Sequence, residues 1–220
     1  MLDGLRMHSP PAWLQALFPA VSWRGAEGGT QVYLSFDDGP VPGPTEWVLD
    51  QLAGTPHKAS FFCIGKNVRQ HPEIFRRILR EGHAVGNHTT NHLNGWKHGN
   101  REYFADVNEA DEIMAAEGGR SLLFRPPYGK LTPSQYRELS RTHHISLWDV
   151  LPYDFDRSIS GEQVFASVEK HLRPGGMVVL HDSPKAFPRL QKALPLILQL
   201  LDRNGWTSVA LPPAGLKEKK

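Results

Sequence analysis

The 220-residue chain carries 25 Lys and Arg against 23 Asp and Glu, a formal charge of +2, with 40% hydrophobic and 22% charged residues. That balance describes an ordinary globular chain, long enough for a sizeable core in one domain or two small ones, and gives no basis for a nucleic-acid or anionic-membrane partner. The single cysteine, Cys63, excludes an intrachain disulfide and sits in an apolar run where an inert buried thiol is expected.

Residues 1–29 read as an extension that packs on the main domain. Asp3, Arg6, Pro10 and Pro11 interrupt the start, so no apolar stretch of roughly 7–15 residues leads to a signal cleavage site. Nothing approaches the ~18 consecutive apolar residues of a membrane span. If residue 1 is the native start, these features place the protein in the cytoplasm. Leu14, Leu17 and Phe18 have helical spacing, and with Trp13 and Trp23 they predict a short helix closing one end of the core.

From residue 30 strand-like and helical patterns alternate. Strands are expected over 31–36, 58–64, 83–87, 122–125, 145–150, 177–181 and 207–211. Between them, Thr45 is a candidate cap for a helix over 46–52, and Pro72 opens one over 73–81. A helix over 101–117 stops at Gly118-Gly119, and Thr132-Pro133 starts another over 134–141. Ser160 and Gln163 resemble a capping box for 162–172, and Pro195 opens a helix over 196–203. Residues 212–220, with Lys217, Lys219 and Lys220, read as a solvated tail. Alternation of this kind predicts an α/β fold with a parallel sheet. No Gly-rich phosphate loop follows any strand, which favours an incompletely closed barrel over a doubly wound nucleotide-binding sheet.

The unusual polar residues all fall at the carboxyl ends of these strands, the rim where barrel enzymes carry their sites. Asp37 and Asp38 follow the first strand, His88 and His92 the third, Arg125 the fourth, Trp148 and Asp149 the fifth, and His181 and Asp182 the sixth. Two histidines with three residues between them can turn both imidazoles to one point, and a carboxylate completes a three-donor metal site. Adjacent Asp side chains on an extended backbone point to opposite sides, so one can bind metal while its neighbour acts as base. Which does which is not fixed by these considerations. A turn is the competing reading of Asp37-Asp38-Gly39, and structural roles are the competing reading of the remaining histidines.

Ser-Phe-Asp-Asp-Gly-Pro at 35–40, His-Thr-Thr-Asn-His at 88–92, Arg-Pro-Pro-Tyr-Gly at 125–129 and Val-Leu-His-Asp at 179–182 resemble the motifs of the polysaccharide deacetylases. This is carbohydrate esterase family 4, the NodB homology domain, and the resemblance covers 30–211. It implies a distorted (β/α)7–8 TIM-like barrel and one divalent metal ion, most often Zn2+, with Co2+, Ni2+ or Mn2+ compatible with the donors. It implies removal of N-acetyl groups from an N-acetylglucosamine-containing glycan of chitooligosaccharide or peptidoglycan type, by metal-bound water; a monomer is expected. By the same resemblance Asp37 is the base, Asp38, His88 and His92 hold the metal, Arg125 orients Asp37, and His181 is the general acid. The Tyr128 amide would then help to hold the oxyanion.

One motif departs. Where the family carries Asp-x-x-Asp-Trp, this chain has Leu151-Pro152-Tyr153-Asp154-Phe155. By the resemblance the first Asp of that motif supports the acid histidine, so Leu151 predicts a weakly protonated His181, unless Asp149, Asp154 or Asp182 substitutes. This opens a second reading, an O-acetyl (xylan-type) esterase, because an alkoxide leaves with less protonic help than an amine. A glycan-binding protein with impaired catalysis is the third. Trp96, Tyr128 and Phe155 are candidate substrate-binding aromatics.

Overall fold

The computed structural model describes residues 8–25, 29–120 and 122–212. In chain order the elements are α1 (Ala12–Leu17), β1 (Gln31–Asp37), α2 (Pro44–Leu52), β2 (Ala59–Cys63), α3 (Gly65–Gln70), α4 (Pro72–Arg80), β3 (Ala84–Asn87) and α5 (Asn100–Ala116). There follow β4 (Leu123–Phe124), a 3-10 turn (Pro127–Gly129), α6 (Pro133–Thr142), β5 (His144–Ile145), α7 (Gly161–His171), β6 (Met177–His181), α8 (Phe187–Arg203) and β7 (Thr207–Ser208).

The strands run parallel in the order β5-β4-β3-β2-β1-β6, with β7 added to the start of β1. β1 is the middle of the fold and is buried from Val32 to Asp37, as a strand covered on both faces must be. Its alternation sorts two cores. Val32, Leu34 and Phe36 point outward and pack with Val48, Leu49 and Leu52 of α2 and with Ile197 and Leu201 of α8. Tyr33, Ser35 and Asp37 point inward, and Tyr33 meets Phe62, Leu123, Met177 and Leu211 in an apolar plug at the bottom of the barrel.

The strand expected over 145–150 is a two-residue strand followed by a crossing. Ser146 N–H still donates to Phe124 O, but Asp149 and Val150 N–H donate to Met177 O and Val150 pairs with Val178. The segment leaves β4 and joins β6, which curls the sheet into a distorted barrel. The N-terminal stretch fills the gap so opened, with Ser22 bridging Ser146 and Arg24 bridging Gly176. Val21 and Trp23 are buried there against Tyr103, Phe124 and Ile145.

Two expected helices differ, and one helix was not expected. α8 begins at Phe187 and runs through Pro195, because its buried stripe Leu190, Leu194, Ile197, Leu198 and Leu201 outweighs the ~3 kcal/mol that an interior proline costs. Helix α3 had no strong periodic signal, since only Gly65 and Val68 of it are buried. Thr45 is not the cap of α2: the helix starts at Pro44, and the Thr45 hydroxyl is engaged elsewhere. Among the described residues no helix is long and apolar enough to cross a membrane.

Candidate active site

Parallel register sets Asp37 at the end of β1 beside Phe62 on one flank and His181 on the other. The chain then turns sharply, with Asp38 at φ 83, a left-handed conformation that a non-glycine residue adopts only when its surroundings hold it. Asp182 is the principal restraint. Its Oδ1 accepts from Gly39 N–H at 3.1 Å and its Oδ2 from the Thr45 hydroxyl at 2.5 Å. Asn67 Nδ2 donates to Asp38 O at 2.7 Å, and Asp182 N–H to Asp37 O at 3.2 Å. A Cβ on Gly39 would collide with the Asp182 carboxylate, so a larger residue here must displace that side chain. Gly39→Ala is expected to destabilise the fold by about 1–3 kcal/mol through overpacking. Thermal melts test this, and an unchanged midpoint would show that Asp182 yields without cost.

The turn places Asp38 over two histidines. Its Oδ1 is 3.3 Å from His92 Nε2 and 3.8 Å from His88 Nε2, and all three donor atoms lie within 4.8 Å of one another. His88 Nδ1, 2.7 Å from Arg125 O, can only donate to that carbonyl, which leaves the Nε2 lone pair facing Asp38. Burial pushes the His88 imidazole down to about 4, so it is neutral at physiological pH. Burial would raise the Asp38 carboxyl, but the imidazole of His92 against it and the His181 imidazolium behind hold it well below the usual carboxylate range. Asp38 Oδ1 is buried without a hydrogen-bond partner. A carboxylate oxygen without a hydrogen bond, beside the Nε2 atoms of two imidazoles, is the donor set a divalent cation completes, so these residues fit the expected metal.

Arg125 explains how Asp37 remains inside the barrel. The guanidinium is fully buried, with Nη1 2.6 Å from Asp37 Oδ1 and 2.9 Å from Ser35 Oγ. Nε and Nη2 donate to Ser146 O and Leu147 O, each at 3.1 Å, and the Phe62 ring lies 3.8 Å below the guanidinium carbon. Every face of the cation is occupied, so its charge is directed at Asp37.

His181 has its own opposite charge, and the expectation attached to Leu151 is corrected here. Asp154, wholly buried, accepts from the His181 backbone N–H at 2.7 Å and from its Nδ1 at 2.8 Å. Asp149 is committed near Arg24, 4.0 Å away, and Asp182 to Thr45 and Gly39. The supporting carboxylate therefore comes from position 154, the second Asp of the motif, while Leu151 lines the cleft. Burial alone would lower the imidazolium, but Asp154, through charge and hydrogen bond, with Asp38 and Asp37 behind it, raises it to about 9.

These groups open on a cleft of about 1000 Å³. Its floor is Asp37, Asp38, His88, His92 and His181, and its walls include Pro126, Tyr128, Trp148, Leu151, Tyr153 and Phe155. Tyr128, at φ 61 in the 3-10 turn, sets its hydroxyl 3.2 Å from His92 Nδ1, and the Phe155 ring stands 5.0 Å from that of His181. Trp96 does not join them. Its indole N–H donates to Leu131 O, Lys130 covers its ring at 4.9 Å, and it is not among the residues lining the cleft. Lys130, Arg157 and Lys185 do line it and carried no motif in the sequence.

A barrel with this rim is a hydrolase scaffold, and the sequence profile of the polysaccharide deacetylases matches residues 24–146. The chain belongs to that family, carbohydrate esterase family 4, and is a deacetylase by class. It is 32% identical to a peptidoglycan-N-acetylglucosamine deacetylase of Bacillus cereus over 209 residues, 93% of this chain and 74% of that protein. It is 36% identical to a chitooligosaccharide deacetylase of Sinorhizobium fredii over 166 residues, 72% of this chain and 75% of the other. A crystal structure of a peptidoglycan N-acetylglucosamine deacetylase bound to an N-hydroxybenzamide superposes with a TM-score of 0.84 at 29% identity, covering 96% of this chain and 99% of that one.

Proposed function

We propose that the chain hydrolyses N-acetyl groups on an N-acetylglucosamine-containing glycan of peptidoglycan type, with residues 30–211 as the catalytic unit. The observation that carries this is the pairing of Asp37 with Arg125 and of His181 with Asp154, facing each other across one cleft above the Asp38-His88-His92 cluster. A divalent cation there, Zn2+ in this reading, would polarise the acetyl carbonyl and acidify the attacking water. Asp37 takes the proton of that water as its oxygen bonds to the carbonyl carbon. Arg125, 2.6 Å from its Oδ1, aims the Asp37 carboxylate. The Tyr128 amide donates to the developing oxyanion. His181, as imidazolium, protonates the nitrogen as the C–N bond breaks, releasing acetate and a free amine.

A histidine still protonated near pH 8 suits an amine leaving group, which departs poorly without a proton, and so favours the amide over the ester reading. The experiment is to measure bound metal and then acetate release from chitooligosaccharides, peptidoglycan and acetylated xylan, with Asp37→Asn as control. Release from xylan alone would establish the esterase, and release from none by metal-loaded protein would establish a binding module.

The charge of the cleft favours peptidoglycan over a neutral chitin oligomer. Beyond Asp37 and Asp38 its lining carries no carboxylate, yet it carries Lys130, Arg157 and Lys185. None of the three forms an ion pair among the described residues. Lys185 Nζ instead stands 5.6 Å over the Phe155 ring that touches His181. The double variant Arg157→Gln with Lys185→Gln is expected to lower kcat/KM on carboxylate-bearing peptidoglycan oligomers by about tenfold, the loss of two partly solvated charge contacts. Chitotetraose should be affected little. Equal losses on both substrates would remove the charge argument.

A further inference from the structure

The loop that bears His88 and His92 is not stable by its own sequence. Thr89 at φ 64 and His92 at φ 55 are both left-handed, a costly conformation that persists only where neighbours impose it. The restraint comes from α5, whose residues carry no recognised motif. Asp106, buried on that helix, accepts from Thr90 N–H at 2.9 Å, Asn91 N–H at 3.0 Å and Asn91 Nδ2 at 2.6 Å. The Asp106 carbonyl accepts the Thr90 hydroxyl at 2.8 Å. One residue thereby holds two of the three positions between the histidines. The opposite side is fixed by the first amides of α3, Gly65 N–H to Thr89 O at 2.9 Å and Lys66 N–H to Thr90 O at 3.1 Å. At the strand end Asn87 Oδ1 accepts from Thr89 N–H, and its Nδ2 donates to Asp111 Oδ1 of α5.

We infer that Asp106 is a positioning residue that presets the His88–His92 geometry, and so sets metal affinity without taking part in turnover. The inference rests on the metal-dependent reading of the site. Asp106 faces backbone amides and no cation: among the described residues it forms no ion pair. Its carboxylate serves the three N–H groups it gathers.

The test is a chelator-competition measurement of the Zn2+ dissociation constant for the wild type, Asp106→Asn and Asn91→Ala. Melting temperatures of the metal-free proteins serve as a folding control. Asp106→Asn is isosteric but presents an amide to a donor, and it is expected to weaken Zn2+ binding by about 10–100-fold, the usual effect of losing an outer partner. Saturating Zn2+ should then restore kcat to within about threefold, a rescue that Asp37→Asn cannot show. Asn91→Ala removes one exposed contact, folds safely, and should weaken Zn2+ binding by a few-fold. An unchanged dissociation constant in both folded variants overturns the role of Asp106, and a kcat that excess Zn2+ fails to restore overturns the separation from turnover. A wild type that binds no Zn2+ overturns the metal reading itself, which is a distinct result.

Discussion

Asp37→Asn is expected to lower acetate release by about 10³-fold, within the range for loss of a positioned general base, while the protein still binds its divalent ion. The two halves of that result separate the adjacent aspartates. Asp38 faces His88 and His92, whereas Asp37 faces Arg125 at 2.6 Å, so the substitution leaves the three donor atoms untouched. A second consequence follows from burial. Arg125 is 0% exposed and among the described residues has Asp37 as its one carboxylate, so the variant leaves a buried cation facing a neutral amide. Breaking a buried pair in this way typically costs about 3–5 kcal/mol, here reduced because Asn still accepts one hydrogen bond. Activity, metal content and melting temperature should therefore respond differently: activity lost, metal kept, stability lowered. Loss of metal together with activity would mean that Asp37 is a ligand and that the two roles are reversed.

Much of this site was legible because its chemistry lies in short contiguous motifs at strand ends. Asp37-Asp38, His88, His92, Arg125 and His181 needed only the alternation of strands and helices to be brought to one rim, and the parallel register of β1 with β6 does place Asp37 beside His181. What was not legible depends on contacts between distant segments. Asp154 could be named only as one of three candidates, because whether it or Leu151 turns toward His181 depends on how the chain leaves β5. That departure is an irregular crossing from β4 to β6, which no periodicity encodes. Asp106 sits at an ordinary polar position of an amphipathic helix, and only the packing of α5 beside the His88 loop gives it partners. Thr45 looked like a cap because Thr before a helix often is one. Its hydroxyl serves Asp182 instead, an assignment that needs β6 and α2 in contact. Trp96 failed for the converse reason, since proximity in sequence to His92 did not bring its ring into the cleft.

Asp154→Asn is expected to move the alkaline limb of the pH–rate profile downward by two units or more. The protonated form of His181 is the working acid in the proposed reaction, and its imidazolium is held to about 9 by the carboxylate at 2.8 Å. Without that charge, burial acts unopposed except by Asp38 and Asp37, and the imidazolium should fall to the ordinary value near 6.5 or below. At pH 8.5 the protonated fraction then drops from about three quarters to about one hundredth, a loss of almost two orders of magnitude. Near pH 6 the variant should keep a large part of its activity, which distinguishes a lost proton from a lost fold. The stability consequence has the same sign. A group whose folded pKa is raised stabilises fully below its unfolded value, near 6.5, and loses that contribution as pH rises through about 9. The wild type should therefore lose melting temperature between pH 6.5 and 9 by more than Asp154→Asn does. Leu151→Asp, by contrast, should leave the limb in place, because its side chain would face the cleft while Asp154 already occupies Nδ1 of His181. A limb that moves with residue 151 and not with residue 154 would transfer the supporting role back to the first position of the motif.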